Sequence, residues 1–425
     1  MSNDFSINKL TDNLFRHESG KMVSVLCSIF GIHHLELAED VVQQTFLHAI
    51  NIWKLKGIPD NPSAWLYRVA KNKAIDAIRK LKHSTHFDFD TDDKKLLNSE
   101  YTILPVMEKL WSDAYIKDDV LRMMYVCCHP GISPENQITL ILKTLCGFST
   151  TEISRAFLTA EDTISKRLYR TREYFRNNNI TLELPRSINN YKSRTNAVLN
   201  AIYLLFNEGY KTTHHQLVIR EELIDEAFML CKLLLENEHS KLPEVNALLA
   251  LMSFHRSRLN ARLTDEGSII LLEHQDRKKW DSEWIELGIH FLNEAASGDE
   301  LSTYHLEAAI AFEHCTAPSF EATNWIRILQ LYTWLQKLAP TPVVILNQAV
   351  AIKQVHGAEK ALSIILVPEL HSKLKSYYLY HCLLGDLYAS TGRSTLATTA
   401  YKEALTLTNS AAEQNLINQK IRAIP

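Results

Sequence analysis

Residues Asn61 to Lys82 read NPSAWLYRVAKNKAIDAIRKLK, and this stretch decides the fold class. Leu66, Val69, Ala70, Ala74, Ala77, Ile78 and Leu81 recur at steps of three and four, the spacing of one face of an α-helix. Arg68, Lys71, Asn72, Asp76, Arg79 and Lys80 fall largely on the other side. The breakers Gly57, Pro59 and Pro62 stop the chain ahead of this helix. Pro62 sits close to its first turn, where a missing N–H costs no intrahelical bond.

Working outward, the same period recurs. Leu10 to Phe30 reads as an amphipathic helix. Leu35 to Trp53 reads as another, with Ala38, Val41, Val42, Thr45, Phe46 and Ala49 on one face. Glu39, Asp40, Gln43, Gln44 and His48 take the opposite face. Further helices are predicted at Asp119–Cys128, Glu135–Leu145, Thr150–Phe157 and Glu161–Phe175. Beyond Pro185 helices of roughly 12 to 16 residues follow one another to Pro425. His83 to Pro105 has weak periodicity and holds Asp88, Asp90, Asp92, Asp93 and Glu100, so it reads as a flexible acidic tether.

Composition agrees with an all-α protein. The 425 residues include only 12 Gly and 12 Pro. That is about half the usual share of breakers. Collagen-like, disulfide-framework and low-complexity classes are excluded. No apolar run approaches the ~18–20 residues that a membrane span needs. Met1 to Leu10 shows neither a basic nor an apolar leader region, which predicts no secretory signal. Seven scattered cysteines suit a reducing cytoplasm.

The net charge of −3 hides two basic helices. Asn61 to His83 carries six cations against Asp76, and Thr163 to Arg176 carries Lys166, Arg167, Arg170, Arg172 and Arg176 against Glu173. Thr150 to Arg176 has the helix-turn-helix pattern, with Leu158-Thr159-Ala160 joining a short helix to a basic one that would enter the major groove. Ile164, Leu168 and Phe175 would face a small core. Thr163, Lys166, Arg167 and Arg170 would face DNA, since arginine bonds guanine bidentately and all three residue types hold phosphates. In the earlier basic helix, cations beside Asn72, Trp65 and Tyr67 suit phosphates and unstacked bases.

Other polar clusters read as structure. Cys127-Cys128-His129 has no second ligand pair at zinc spacing. His33-His34 and His214-His215 read as surface histidines. Gln275-Asp276-Arg277 with Trp280-Asp281 reads as a structural or interdomain network. No nucleophile elbow, phosphate loop, dinucleotide fingerprint or zinc-protease motif occurs, so an enzyme reading has no chemistry to rest on. Gly357-Ala-Glu-Lys-Ala-Leu362 is echoed around Gly392, about 35 residues on, close to the tetratricopeptide period.

Three ordered segments carry a resemblance to bacterial extracytoplasmic-function (ECF) sigma factors of RNA polymerase. LAEDVVQQTFLHAI (Leu37–Ile50) resembles the region 2 helix that docks on the polymerase clamp. Asn61–Asp76 resembles the stretch that meets the −10 element. GFSTTEIS (Gly147–Ser154) and TISKRLYRTR (Thr163–Arg172) resemble region 4, which reads the −35 element. LRMMYVCCHP (Leu121–Pro130), YLLFNEGY (Tyr203–Tyr210) and LLEHQDRKKWD (Leu271–Asp281) resemble a subgroup with a long tetratricopeptide-like C-terminal extension.

The resemblance implies four segments: region 2 at 1–84, the linker at 85–108, region 4 at 109–177 and the extension at 178–425. It implies that Glu39, Asp40, Gln43 and Gln44 bind the β′ clamp helices, with the β subunit as a further contact. Arg68, Lys71, Asn72, Asp76 and Arg79 would lie at the melted −10 strand, and Thr163, Lys166, Arg167, Arg170 and Arg172 at −35 DNA. Ala160 stands where many members have Ser, leaving Thr159 or Asp162 to cap the recognition helix. The implied partners are core polymerase, promoter DNA and a regulatory protein or ligand at the extension, with no cofactor, metal or membrane. A truncation near Arg186 is expected to alter promoter activity. The alternative is a helix-turn-helix regulator with a repeat-type sensing domain and no polymerase function.

Overall fold

The computed structural model describes residues 2–85, 102–157, 159–185, 188–210 and 219–424. Among them the regular elements are helical, with one isolated bridge between Leu263 and Ile269, so the fold is all-α. Most of the expected tether (86–101), His214-His215 and Leu158 lie outside the described residues. The last part of the expected linker falls in a helix, Ile103–Leu110.

Two compact units divide the chain. The first is Met1–Glu208 with Asp225–Ser240, and the second is Gly209–Ile224 with Lys241–Pro425. The first holds α1 (Ser2–Phe30), α2 (Leu35–Lys56), α3 (Pro62–Thr85), α4 (Ile103–Leu110), α5 (Asp113–Cys127), α6 (Pro134–Thr144), α7 (Thr150–Ala156) and α8 (Glu161–Asn177). Most of α9 (Ile188–Tyr210) and α10 (Glu221–Leu233) also belongs to it. The boundary expected at 177/178 therefore falls inside this unit. Tyr125 of α5 and Thr195 of α9 share a buried hydroxyl hydrogen bond of 2.8 Å.

Local chemistry sets the helix ends. α2 stops at Gly57, which takes φ +84° and donates its N–H to the Trp53 carbonyl. That φ is readily reached only without a Cβ. α3 begins at Pro62, and Asn61 Oδ1 accepts the Ala64 N–H at 3.0 Å as a cap. α2 buries Ala38, Val41, Val42, Thr45, Phe46 and Ala49, the stripe predicted from the period.

α1 holds the first unit together. Met22, Val25, Leu26 and Cys27 are fully buried, and the helix packs on α2, α3 and α5. Burying each Leu or Met contributes about 1.5–3 kcal/mol. Gly20 lets α1 approach the backbone just after α6. A Cβ there would fall 2.1 Å from the Leu145 carbonyl oxygen. Arg16 lies over the Phe148 ring and pairs with Glu152 of α7, whose carboxyl is held below its ordinary range by Arg16 and by Ser149 against the opposing effect of burial.

The second unit contains α11 (Pro243–Arg256), α12 (Ser282–Ala295), α13 (Thr303–Thr316), α14 (Trp325–Leu338), α15 (Pro342–His356) and α16 (Ala358–Ile365). It closes with α17 (Pro368–Leu374), α18 (Tyr378–Ser390), α19 (Ser394–Leu407) and α20 (Ala411–Arg422). Consecutive helices pair: α13 on α14, α14 on α15, α15 on α16 and α18 on α19. Gly357 and Gly392, the echoed glycines, turn the chain at φ +86° and +74°. Gly385 of α18 faces Tyr401 of α19 so closely that a Cβ would meet the ring at 2.4 Å. Gly385→Val should destabilise this unit by about 1–3 kcal/mol through overpacking, read as a lower urea midpoint; an unchanged midpoint would show that the pair can spread without cost.

Candidate nucleic-acid interface

The outer face of α2 carries Asp40, Gln43 and Gln44, all exposed. Leu47 (62% exposed) and Leu55 (82%) share that face. A reading that weighed only charged and amide groups passed over both leucines, although the helical period places Leu47 beside Gln43 and Gln44. Glu39 does not stand with them. Its side chain is turned inward, and its carboxylate accepts Arg172 Nη2 of α8 at 2.6 Å. Burial pushes the Glu39 carboxyl up from its ordinary pKa, against the pull of Arg172.

On α3, Arg68, Asn72, Asp76 and Arg79 form an exposed stripe at steps of four, four and three. Arg79 pairs with Asp76 at 3.5 Å. Lys71 sits at the flank and pairs with Glu108 of α4. Trp65 stacks on His48 with ring centroids 5.8 Å apart and also meets Trp53 at 5.5 Å. Tyr67 donates its hydroxyl to Glu18 of α1 and lies against Trp111.

α8 follows α7 after four residues, and it buries Ile164, Leu168, Thr171 and Phe175. Its first residue is Glu161 and its N-cap is Ala160, with no side-chain cap. The caps expected from Thr159 or Asp162 do not form; Asp162 instead pairs with Lys166 at 2.7 Å one turn on. Lys166 and Arg170 are exposed, and Thr163 is half-buried. Arg167 is half-buried too, its guanidinium 5.8 Å from the Phe157 ring centre. Tyr169, 61% exposed between Lys166 and Arg170, is a large side chain on this face that reading for charge alone missed.

Arg172 points elsewhere. It pairs with Glu39 at 2.6 Å and with Glu36 at 3.8 Å, and Arg176 pairs with Glu36 at 2.9 Å. The structure thus brings two of the expected site residues, Glu39 and Arg172, together with each other. The cations of α8 divide: Lys166 and Arg170 face solvent, Arg167 lies against Phe157, and Arg172 and Arg176 pair with carboxylates of α2, Arg172 shielded and Arg176 exposed.

Comparison with known proteins adds a decisive match. Residues 14–84 match the model of sigma-70 region 2. The chain belongs to the ECF-like sigma factors that carry a long C-terminal extension. The extension itself matches a family of unknown function, DUF6596, over residues 194–296. An uncharacterized protein of Rhizobium meliloti (strain 1021) is 34% identical over 393 residues, which cover 91% of this chain and 90% of that protein. Region 2 of a sigma factor serves RNA polymerase in promoter recognition, and its match here covers all of α2 and nearly all of α3. Sigma factors are non-enzymatic initiation factors. No helix among the described residues is long and apolar enough to cross a membrane.

Within the extension of this sigma factor, Asp276, Arg277 and Asp281 of the Gln275–Asp281 motif bond to nearby backbone groups. Asp276 accepts the Lys278 N–H, and Asp281 caps α12 through the Glu283 and Trp284 N–H groups. Arg277 donates to the His314 and Ala317 carbonyls at the end of α13, at 2.7 and 2.6 Å. Cys127 and Cys128 are buried in the first unit, and burial raises both thiols.

The Glu39–Arg172 pair yields a quantitative test. Arg172→Gln strands a largely desolvated carboxylate and should destabilise the first unit by about 2–3 kcal/mol, below the cost of breaking a fully buried pair. Adding Glu39→Gln should restore much of that loss. A double-mutant cycle by chemical unfolding checks the coupling; additive losses would mean that the two groups act separately.

Proposed function

We propose that this sigma factor places α2 on the β′ clamp of core polymerase, α3 at the melted −10 strand, and α7–α8 as a helix-turn-helix at the −35 element. The match of residues 14–84 to sigma-70 region 2 carries the reading. Asp40, Gln43 and Gln44, with Leu47 among them, form the clamp face. Arg68, Asn72, Asp76 and Arg79 face the −10 strand, with Lys71 joining once it leaves Glu108. Lys166, Tyr169 and Arg170 meet −35 DNA first, with Thr163 and Arg167 at the flank.

The described form is then a closed one. Elements named −10 and −35 lie about 25 base pairs apart, or ~80 Å along a duplex. A compact unit of roughly 220 residues has a radius of gyration of ~17 Å, hence a diameter near 45 Å. While Arg172 is paired with Glu39, α3 and α8 cannot reach both elements. Opening separates them, and residues 86–102 between α3 and α4 could span up to about 55–60 Å as a tether. The extension would regulate this factor through a protein or small ligand. Its role is best tested by a truncation that keeps residues through Ser240, because ending near Arg186 would remove α9 and α10 from the first unit.

In vitro transcription with purified core polymerase over pooled genomic fragments tests the reading. Transcripts that share upstream −35 and −10 sequences and require this chain are expected; no transcripts together with no co-elution with core polymerase would overturn it. On the promoter so found, Arg170→Ala should lower transcription about 10-fold or more, the loss expected of a guanidinium on a base edge. Spin labels at Asn51 and Ser165 should move apart by tens of ångströms when core polymerase is added. An unchanged distance in an active complex would refute the closed form.

A further inference from the structure

The second unit holds a half-open cavity of about 1000 Å³. Its floor is apolar, formed by Leu259 and by Leu346, Val350, Leu379 and Leu383 of α15 and α18. The charges on its wall are unequal in their commitments. Asp386 is neutralised by Lys420 at 2.6 Å and accepts the Tyr401 hydroxyl. Glu413 accepts the hydroxyls of Tyr378 and Thr408. Glu221 and Glu266 are exposed and stand where the cavity meets solvent.

Arg262 differs. Its guanidinium lies 3.6 Å over the Tyr210 ring and gives one N–H to the Tyr210 carbonyl at 2.6 Å. Among the described residues it forms no ion pair with a carboxylate. Two further guanidiniums, Arg258 and Arg277, flank the buried Trp280 at 5.5 and 4.4 Å, and neither has a carboxylate partner among the described residues. The exposed Glu321 lies within electrostatic reach of Arg277 but makes no ion pair with it. His255 and His314 lie among these arginines. Burial, then the neighbouring positive charge, pushes both down to about 3, so they are neutral near pH 7. Three half-buried or buried cations thus share one region with no paired anion, and one of them, Arg262, lines the cavity. A cation removed from water favours an anionic partner.

We propose that this cavity binds a small amphipathic monoanion, with its carboxylate on Arg262 and its apolar body along Leu259, Leu346, Val350 and Leu383. The stacked Tyr210 ring fixes the guanidinium plane for a planar, two-oxygen head. The exposed Glu221 and Glu266 repel polyanions, which disfavours nucleotides and polyphosphates. The volume is at the upper end of the range for small-molecule sites.

The test is calorimetric titration of the full chain with decanoate below its micelle concentration, with inorganic phosphate as the second probe. Saturable 1:1 binding of decanoate, and none of phosphate at the same concentration, is expected. Arg262→Gln should weaken it at least 10-fold, and Arg262→Lys should weaken it less, because charge is kept while the planar fork is lost. Val350→Trp fills the floor without changing charge and should also weaken binding at least 10-fold, which keeps the test open if the Arg262 variants misfold. Absent binding by the parent chain, preference for phosphate, or unchanged affinity in folded Arg262→Gln or Val350→Trp would each overturn the proposal. Neither polymerase nor DNA enters the assay, so its outcome is independent of the promoter reading.

Discussion

The pairing of Glu39 with Arg172 is the constraint on which the first unit depends. It joins residues far apart in sequence, at 2.6 Å, across helices that would otherwise present charge to water. Glu39 precedes the exposed Asp40 by one position, but one residue turns a helix by about 100°. That rotation separates an inward carboxylate from an outward one. Once Glu39 is removed from water, α8 must supply its counter-charge, and α8 is thereby oriented: its apolar stripe faces inward and Lys166 and Arg170 remain outside. Gly20 and the Arg16–Glu152 pair hold α1 against the same group of helices, so two ion pairs and one close backbone approach favour one arrangement.

Much of this was legible in the sequence, for identifiable reasons. Periodicity gave the buried stripes of α2 and α8. Glycine and proline gave the stops at Gly57 and Pro62 and the turns at Gly357 and Gly392, because positive φ and a fixed φ are local requirements. Periodicity could not show that Glu39 and Arg172 are partners. Both lie at the edge of an apolar stripe, where the same spacing fits a solvated charge or a paired one, and only the neighbouring helix decides. The polar run Asn177–Asn179 marks a helix end, yet α9 returns to the same core through Thr195, a contact that no local pattern shows. Tyr169 and Leu47 were overlooked because a search for nucleic-acid and clamp contacts favours charge, while exposure depends on the rest of the fold.

The Gln275–Asp281 motif shows the opposite relation. Its density of polar side chains looked like a site, and both aspartates and one arm of Arg277 are spent on helix ends. Asp276 and Asp281 satisfy N–H groups, and Arg277 satisfies carbonyls at the close of α13. Such ends carry unpaired backbone groups, so a compact helical unit with short connections concentrates capping residues where elements meet. The cation without a paired carboxylate that lines the cavity is Arg262, outside the motif, and it becomes visible only when its surroundings are known.

The division of cations on α8 has a consequence for energetics. A guanidinium that leaves a carboxylate for a phosphate still displaces a cation condensed on the DNA, but the freed carboxylate must then be hydrated and the lost pair offsets part of the gain. In the reading proposed for α8, Arg172, Arg176 and Lys166, the last paired with Asp162, would each give up a carboxylate on DNA association, whereas Arg170 has no carboxylate partner among the described residues and would contribute the most affinity. Added salt also screens the exposed Glu36 pairs more than the shielded Glu39 pair. Ionic strength would therefore loosen the closed unit and weaken its grip on DNA together, leaving the balance between the two less sensitive to the medium than either is alone.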